Sequence, residues 1–187
     1  MAEVVSTNQF RNGMHVEVDG DVWRIVEFQH VKPGKGGAFV RTKLKSLSTG
    51  AVVDRTFRAG EKLERVTTET RTMQFLYRDG DDLHLMDTSS YDQMSVTAAS
   101  VDNDDLLAPN TDVQVLFVRE SPIRIDLPTF VELEVVRTDP GVKGDTVSNV
   151  TKPAELESGA TVDVPLFVNE GDRLRIDTRT REYTARA

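Results

Sequence analysis

Lys32-Pro33-Gly34-Lys35-Gly36-Gly37 joins two runs in which apolar and polar residues alternate. On the incoming side Val22, Arg24, Val26, Phe28 and His30 alternate with Trp23, Ile25, Glu27, Gln29 and Val31, the two-residue period of a strand. On the outgoing side Phe39, Arg41, Lys43 and Lys45 alternate with Val40, Thr42, Leu44 and Ser46, which places three cations on one strand face. Pro33 has no N–H to give a ladder, and Gly34, Gly36 and Gly37 tolerate backbone angles that other residues avoid, so pairing is expected to stop here. The pattern predicts a long β-hairpin with Lys35 at its tip. A strand of about ten residues is roughly 30 Å long, enough to carry that lysine well away from its own core.

Charge sets this stretch apart. From Phe28 to Val53 there is no acidic residue, whereas the chain of 187 residues carries a net charge of −8. By segment the net charge is +3 for residues 1–65, −8 for 66–127 and −3 for 128–187. A basic N-terminal third suggests nucleic acid as its partner, and the acidic middle reads as a solvated surface. Lys35 is not followed by Ser or Thr and the glycine spacing is wrong for a phosphate-binding P-loop. The lysine is therefore assigned to a polyanion or to an enclosed pocket.

Composition narrows the remaining classes. The chain has no cysteine, which removes disulfides and thiolate chemistry, and its three histidines lack ligand spacing, so no metal and no cofactor are expected. No apolar run approaches the roughly 18 residues of a membrane span and the N-terminus has no signal-peptide core, so a cytoplasmic location is expected. The absence of a long apolar surface run predicts a monomer. Carboxylates are plentiful, but no spacing marks an acid–base pair, a nucleophile elbow or a dinucleotide fingerprint, and the chain is read as having no catalytic residues.

Taken in order, Met14 to Val18 and the turn Asp19-Gly20 open a small barrel that includes the Lys35 hairpin and ends near Glu64 or Arg65. Domains are assigned to residues 1–65, 66–127 and 128–187. In the second, Met73 to Tyr77, Leu83 to Met86, Met94 to Thr97, Val113 to Val118 and Ile123 to Leu127 read as strands. Ala98 to Ala108 is expected to form one short helix, with Ser100 as a possible cap. In the third, Val131, Leu133 and Val135 make an apolar strand face, and Thr138 to Ala160 reads as one long loop of about 23 residues. Gly144-Asp145-Thr146 lies within it, placing a carboxylate and a hydroxyl either toward a ligand or in an Asx-type turn that bonds its own backbone. Strands at Thr161 to Val168, Arg173 to Asp177 and Glu182 to Arg186 close the domain. The fold class is all-β, three small barrels in series.

These features combine into a resemblance to the bacterial elongation factor P family. It is carried by Lys32 to Phe39 with Arg41, Lys43 and Leu44, by Phe130 to Val136, by Asp139-Pro140-Gly141 with Lys143 to Thr146, by Lys152-Pro153-Ala154, by Val164 to Val168, and by Asp177-Thr178-Arg179 with Glu182-Tyr183. The resemblance implies a KOW/SH3-like first domain and two OB-fold domains in an elongated, tRNA-like arrangement. It implies a translation elongation factor, not an enzyme, that binds the ribosome between the peptidyl and exit sites and stimulates peptide-bond formation at stalled proline runs. Lys35 then matches the tip residue near the CCA end of peptidyl-tRNA, with Lys32, Pro33, Gly34, Gly36 and Gly37 forming the tip loop. Arg41, Lys43 and Lys45 would contact tRNA or rRNA. Gly144, Asp145 and Thr146 match a loop near the exit-site codon, and Tyr183 and Arg186 are carried over as a C-terminal RNA contact.

By the same resemblance, Lys35 admits a β-lysyl or aminopentanol addition by a lysine-modifying enzyme and excludes the arginine-directed type. The subgroup with unmodified lysine has proline where Gly37 stands, and many members have glycine where Arg181 stands. An elongation factor P-like paralogue with another stall preference and a general RNA-binding module remain open as alternatives.

Overall fold

The computed structural model describes residues 3–141 and 150–187, and within them the chain is built from sixteen β-strands and three short 3-10 turns. The first six strands are β1 (Glu3–Ser6), β2 (His15–Val18), β3 (Asp21–Val31), β4 (Phe39–Ser46), β5 (Val52–Arg58) and β6 (Lys62–Arg65), in one sheet ordered β1-β6-β2-β3-β4-β5. A second sheet, ordered β11-β10-β7-β8-β9, uses β7 (Thr68–Asp79), β8 (Asp82–Asp87), β9 (Gln93–Thr97), β10 (Asp112–Val118) and β11 (Ser121–Asp126). The third, ordered β14-β13-β12-β15-β16, uses β12 (Phe130–Thr138), β13 (Thr151–Leu156), β14 (Thr161–Pro165), β15 (Arg173–Asp177) and β16 (Glu182–Arg186). The all-β class with three β-rich domains is thus observed. Among the described residues no helix is long and apolar enough to cross a membrane.

Two compact units divide this fold. The first comprises the residues through Thr70 together with Leu116–Arg124; the second comprises Arg71–Val115 and the residues from Ile125 onward. In the first unit, Phe10, Val16, Ile25, Val40, Leu44 and Phe57 form the barrel core, with Phe10 edge-on to both Phe28 and Phe57. A smaller apolar cluster joins Leu47, Val66 and Val118. Beside it, Arg119 on the β10–β11 turn pairs with Glu17 at 2.8 Å and also with Glu64.

Turn chemistry sets the strand pairing. Asp19 and Gly20 have φ of 54° and 85°, the two positive angles of a type I′ turn whose twist matches that of the flanking strands. They fix the β2–β3 register from Val18 opposite Asp21 to His15 opposite Arg24. Strand β4 then follows the expected alternation, with Val40, Thr42, Leu44 and Ser46 buried and Arg41, Lys43 and Lys45 exposed. Strand β3 departs from it. Its register against β4 slips between Ile25 and Glu27, leaving Val26 as an extra residue. Such a bulge moves the residues beyond it to the opposite face. Trp23 and Ile25 therefore do not share a face with Glu27 and Gln29, contrary to the unbroken alternation read from the sequence.

Two further expectations are corrected. Ala98 to Ala108 is not one helix but two 3-10 turns, Ala98–Ser100 and Asp104–Leu106. Asn103 between them is left-handed with φ 57°, which no continuous right-handed helix accommodates. The break delivers the fully buried Leu106 into the core formed by Val131, Leu133, Leu156, Leu174 and Ile176, all within the second unit. Thr138 to Ala160 is not one loop either, because β13 occupies Thr151–Leu156. Pro153 hid that strand. It pairs with Asp163 on β14, whereas β12 ends at Thr138, opposite Ala154, so the missing N–H interrupts no ladder to β12.

Candidate nucleic-acid interface

The β3–β4 hairpin positions most of the residues singled out from the sequence. With 11 residues in β3, at about 3.3 Å each, its long arm extends roughly 35 Å. Pairing runs out to Val31 opposite Phe39, and Lys32 to Gly37 beyond it are all exposed. Lys32 and Lys35 make no hydrogen bond or ion pair among the described residues. Only Gly36 of the three tip glycines is left-handed, with φ of 105°. That single position reverses the chain, and a side chain there would be strained.

Below the tip, the outward face of β4 is less uniformly positive than the sequence implies. Lys43 lies 3.9 Å from Glu27 and opposite Asp54 on β5. Glu27 opposite Lys43 is the last pair of the register that runs unbroken from Val31 opposite Phe39 at the tip, just before the bulge at Val26. Arg41, by contrast, faces Gln29 and Thr56 and sits over the Phe39 ring at 5.6 Å. Lys45 faces Arg24 and Val52. Arg24, Arg41 and Lys45 form no ion pair among the described residues. An open hollow of about 380 Å³ runs between Glu27, Gln29, Arg41, Lys43 and Thr56. Unpaired cations along a strand flanked by β3 and β5, bordered by an open groove, can hold phosphates by charge without contacting bases.

In the second unit, Tyr183 is half-buried and edge-on to Phe167 at 6.5 Å. Arg186 lies over the Phe167 ring at 5.0 Å and donates to the Phe167 carbonyl at 3.0 Å and to Asp172 at 2.9 Å. Gly144, Asp145 and Thr146 lie outside the described residues. The chain on either side of them is anchored: Lys152, buried on β13, donates to the Asp139 carbonyl, and Thr138 Oγ1 donates to the Pro153 carbonyl at 2.9 Å. At Gly141 an added Cβ would come within 2.5 Å of the Leu166 carbonyl oxygen, so only glycine fits that approach.

Sequence reasoning missed the structural arginines of this unit. Arg179 pairs with Asp177 at 2.9 Å. Its guanidinium, with the backbone N–H groups of Arg179 and Thr180, holds the Asp177 carboxyl down at about 2. Arg181 forks onto Asp105 at 2.6 and 2.7 Å and onto Asn103 Oδ1 at 3.1 Å, which keeps Asp105 below its ordinary range. Asn103 Nδ2 in turn donates to the Thr178 carbonyl at 2.8 Å. No local pattern announces the contacts of Arg181 and Asn103, because their partners stand more than seventy positions apart. No His, Asp and Glu cluster suited to a metal occurs among the described residues.

Three family models match successive parts of the chain: the elongation factor P KOW-like domain at residues 6–63, the elongation factor P OB domain at 68–125, and the elongation factor P C-terminal domain at 131–186. The chain is 53% identical to elongation factor P of Pelotomaculum thermopropionicum over 184 residues, covering 98% of this chain and 100% of that protein. It is 54% identical to elongation factor P of Moorella thermoacetica over 185 residues, again covering 98% and 100%. Among solved structures, it is similar in fold to eukaryotic translation initiation factor 5A from Methanococcus jannaschii, with a TM-score of 0.51, 22% identity and coverage of 68% of this chain and 92% of that one. A translation initiation factor of the same kind from Naegleria fowleri aligns with a TM-score of 0.53 at 15% identity, over 67% and 99% of the two chains. With domain matches in series and relatives more than half identical over nearly its whole length, the chain belongs to the elongation factor P family of translation factors.

Proposed function

We propose that the protein works in the cytoplasm as a monomer that enters the stalled ribosome between the peptidyl and exit sites and speeds peptide-bond formation at proline runs. The observation that carries this reading is Lys35, an exposed cation without a counter-charge at the end of a paired arm roughly 35 Å long. Proline is locked in φ, and a run of it leaves the peptidyl end poorly aligned for attack. A cation that holds the CCA end of peptidyl-tRNA removes part of that orientational barrier and donates no catalytic proton. Arg41 and Lys45, with Lys43 in a lesser role, hold tRNA or rRNA phosphates along the arm. Gly144, Asp145 and Thr146 act near the exit-site codon. Tyr183 and Phe167 offer an aromatic face to RNA in the C-terminal domain, with Arg186, already held by Asp172, in a lesser role.

The unpaired ammonium of Lys35 also suits a lysine-modifying enzyme, whose β-lysyl or aminopentanol addition would lengthen its reach. Proline-run synthesis in a reconstituted translation system tests the reading, with no factor, unmodified protein, protein from the native host and Lys35→Ala compared, and with intact mass recorded. Rescue by unmodified or native protein that disappears in Lys35→Ala is expected. Stimulation unaffected by Lys35→Ala, or rescue by neither wild-type form, would overturn it.

A further inference from the structure

We propose that Asn12, Arg24 and Lys45 form a second subsite, at the root of the hairpin, which binds a backbone phosphate of RNA. It deepens the reading of the hairpin as an RNA-facing arm. Three strands bring cationic or basic groups into one row: His15 on β2 stands opposite Arg24 on β3, and Arg24 stands opposite Lys45 on β4. Residues opposite one another in a sheet share a face, and like charges so placed destabilise the pair. Among the described residues no carboxylate pairs with Arg24 or Lys45, and Glu27, next along β3 beyond the bulge, is taken by Lys43 at 3.9 Å. Of the acidic residues diagonal to it, Glu17 is taken by Arg119 at 2.8 Å and Asp54 lies opposite Lys43. Arg24 and Lys45 are exposed and make no ion pair among the described residues. The half-buried His15 is discouraged from taking up a proton, first by burial and then by Arg24.

These residues border a real concavity. Asn12, Gly13, Arg24, Val26 and Lys45 line an open hollow of about 350 Å³, space for roughly twelve water molecules at about 30 Å³ each. The bulge at Val26 lies on its rim, and the Gly13 N–H is held by the Ile25 carbonyl at 2.7 Å, which fixes the Asn12 turn against the strand. An arginine, a lysine and an asparagine bordering one open hollow, with the Arg24 guanidinium beside Gly13, supply the donor types that suit the tetrahedral, multiply accepting oxygens of a phosphodiester. Along β4, Lys45 lies four positions from Arg41, or about 13 Å at a rise of about 3.3 Å per residue. The two unpaired cations thus mark separate points on a backbone, with the neutralised Lys43 between them.

The test is an NMR titration of the full-length protein, following the Gly13 and Lys45 amides and the Asn12 side chain. Inorganic phosphate and a short single-stranded oligoribonucleotide serve as separate probes. Saturable shifts at these groups are expected with both, tighter with the oligoribonucleotide. They should weaken about tenfold in Arg24→Met and in Lys45→Met, with an unchanged melting temperature, and be unaltered in Lys35→Ala. Shifts that fail to saturate, or that persist in Arg24→Met, overturn the subsite. Saturation by inorganic phosphate alone overturns its assignment to RNA. Should the subsite bind as expected while wild-type protein fails to relieve proline stalls, the functional reading falls and the subsite stands.

Discussion

The hairpin of the first unit and the C-terminal strands of the second use cations in opposite ways. On the hairpin, Arg24, Lys32, Lys35, Arg41 and Lys45 have no carboxylate partner among the described residues. In the C-terminal strands and the turn between them, Arg173, Arg179, Arg181 and Arg186 each sit against Asp or Glu. A cation already matched by a carboxylate has little charge left for a distant anion, but it can fix a turn or join two loops. An unmatched one adds no ion-pair energy to the fold and raises the potential around it, which is what attraction of a polyanion requires. Net charge per segment hinted at this difference; the pairing pattern gives it a mechanism.

The largest expected separation of the two roles comes from Lys35→Ala. It should reduce stimulation of proline-run synthesis by about 10²-fold, the scale of a lost positioning contact, while thermal unfolding stays within about 0.5 kcal/mol of wild type. Gly141→Ala is the converse case. Its new Cβ meets the Leu166 carbonyl oxygen, so a destabilisation of about 1–3 kcal/mol is expected in urea unfolding, with the hairpin's affinity for RNA intact. A loss of RNA affinity there, or a loss of stability in Lys35→Ala, would break the contrast.

Smaller effects follow from the paired arginines. Arg181→Ala removes the fork onto Asp105, and since both side chains are partly exposed a cost of about 1 kcal/mol is expected. Arg181→Gly should cost less, because residue 181 has φ of 62°, which glycine adopts freely. For Asp177 the folded carboxyl is depressed from 3.8 to about 2. Its contribution to stability is therefore present above about pH 4 and is lost as pH falls toward 2. Urea unfolding between pH 5 and pH 2 should show a steeper decline in wild type than in Asp177→Asn, and equal slopes would contradict the assignment. The smallest effect is on the hairpin itself. Glu27→Gln should strengthen RNA binding about twofold by freeing Lys43, and Lys43→Met should weaken it less than Arg41→Met does.

The hairpin was legible in the sequence because a period of two, interrupted by Pro33 and Gly36, has few other physical outcomes. The bulge was not, since the extra Val26 is as apolar as its neighbours and leaves no mark on the alternation. That omission mattered, for it concealed the row from His15 to Lys45. Residues 98–108 misled in a different way. Their local helical preference yielded to tertiary placement of Leu106, which no reading of the segment alone would reveal. β13 was hidden by Pro153, a residue that ordinarily argues against a strand but here stands where no ladder to β12 is broken. Pairs such as Arg181 with Asp105 depend on the whole fold, and sequence supplied only the unusual arginine at the turn.

The most direct measurement is the salt dependence of ribosome binding for wild type, the Arg41→Met/Lys45→Met double variant and Arg181→Met. Each phosphate contact adds roughly 0.7–0.9 to the magnitude of the slope of log affinity against log salt. The account predicts that the double variant loses about 1.5 from that magnitude while Arg181→Met keeps the wild-type slope. An unchanged slope in the double variant, or an equal loss in Arg181→Met, would contradict the division between cations that recognise RNA and cations that hold the fold.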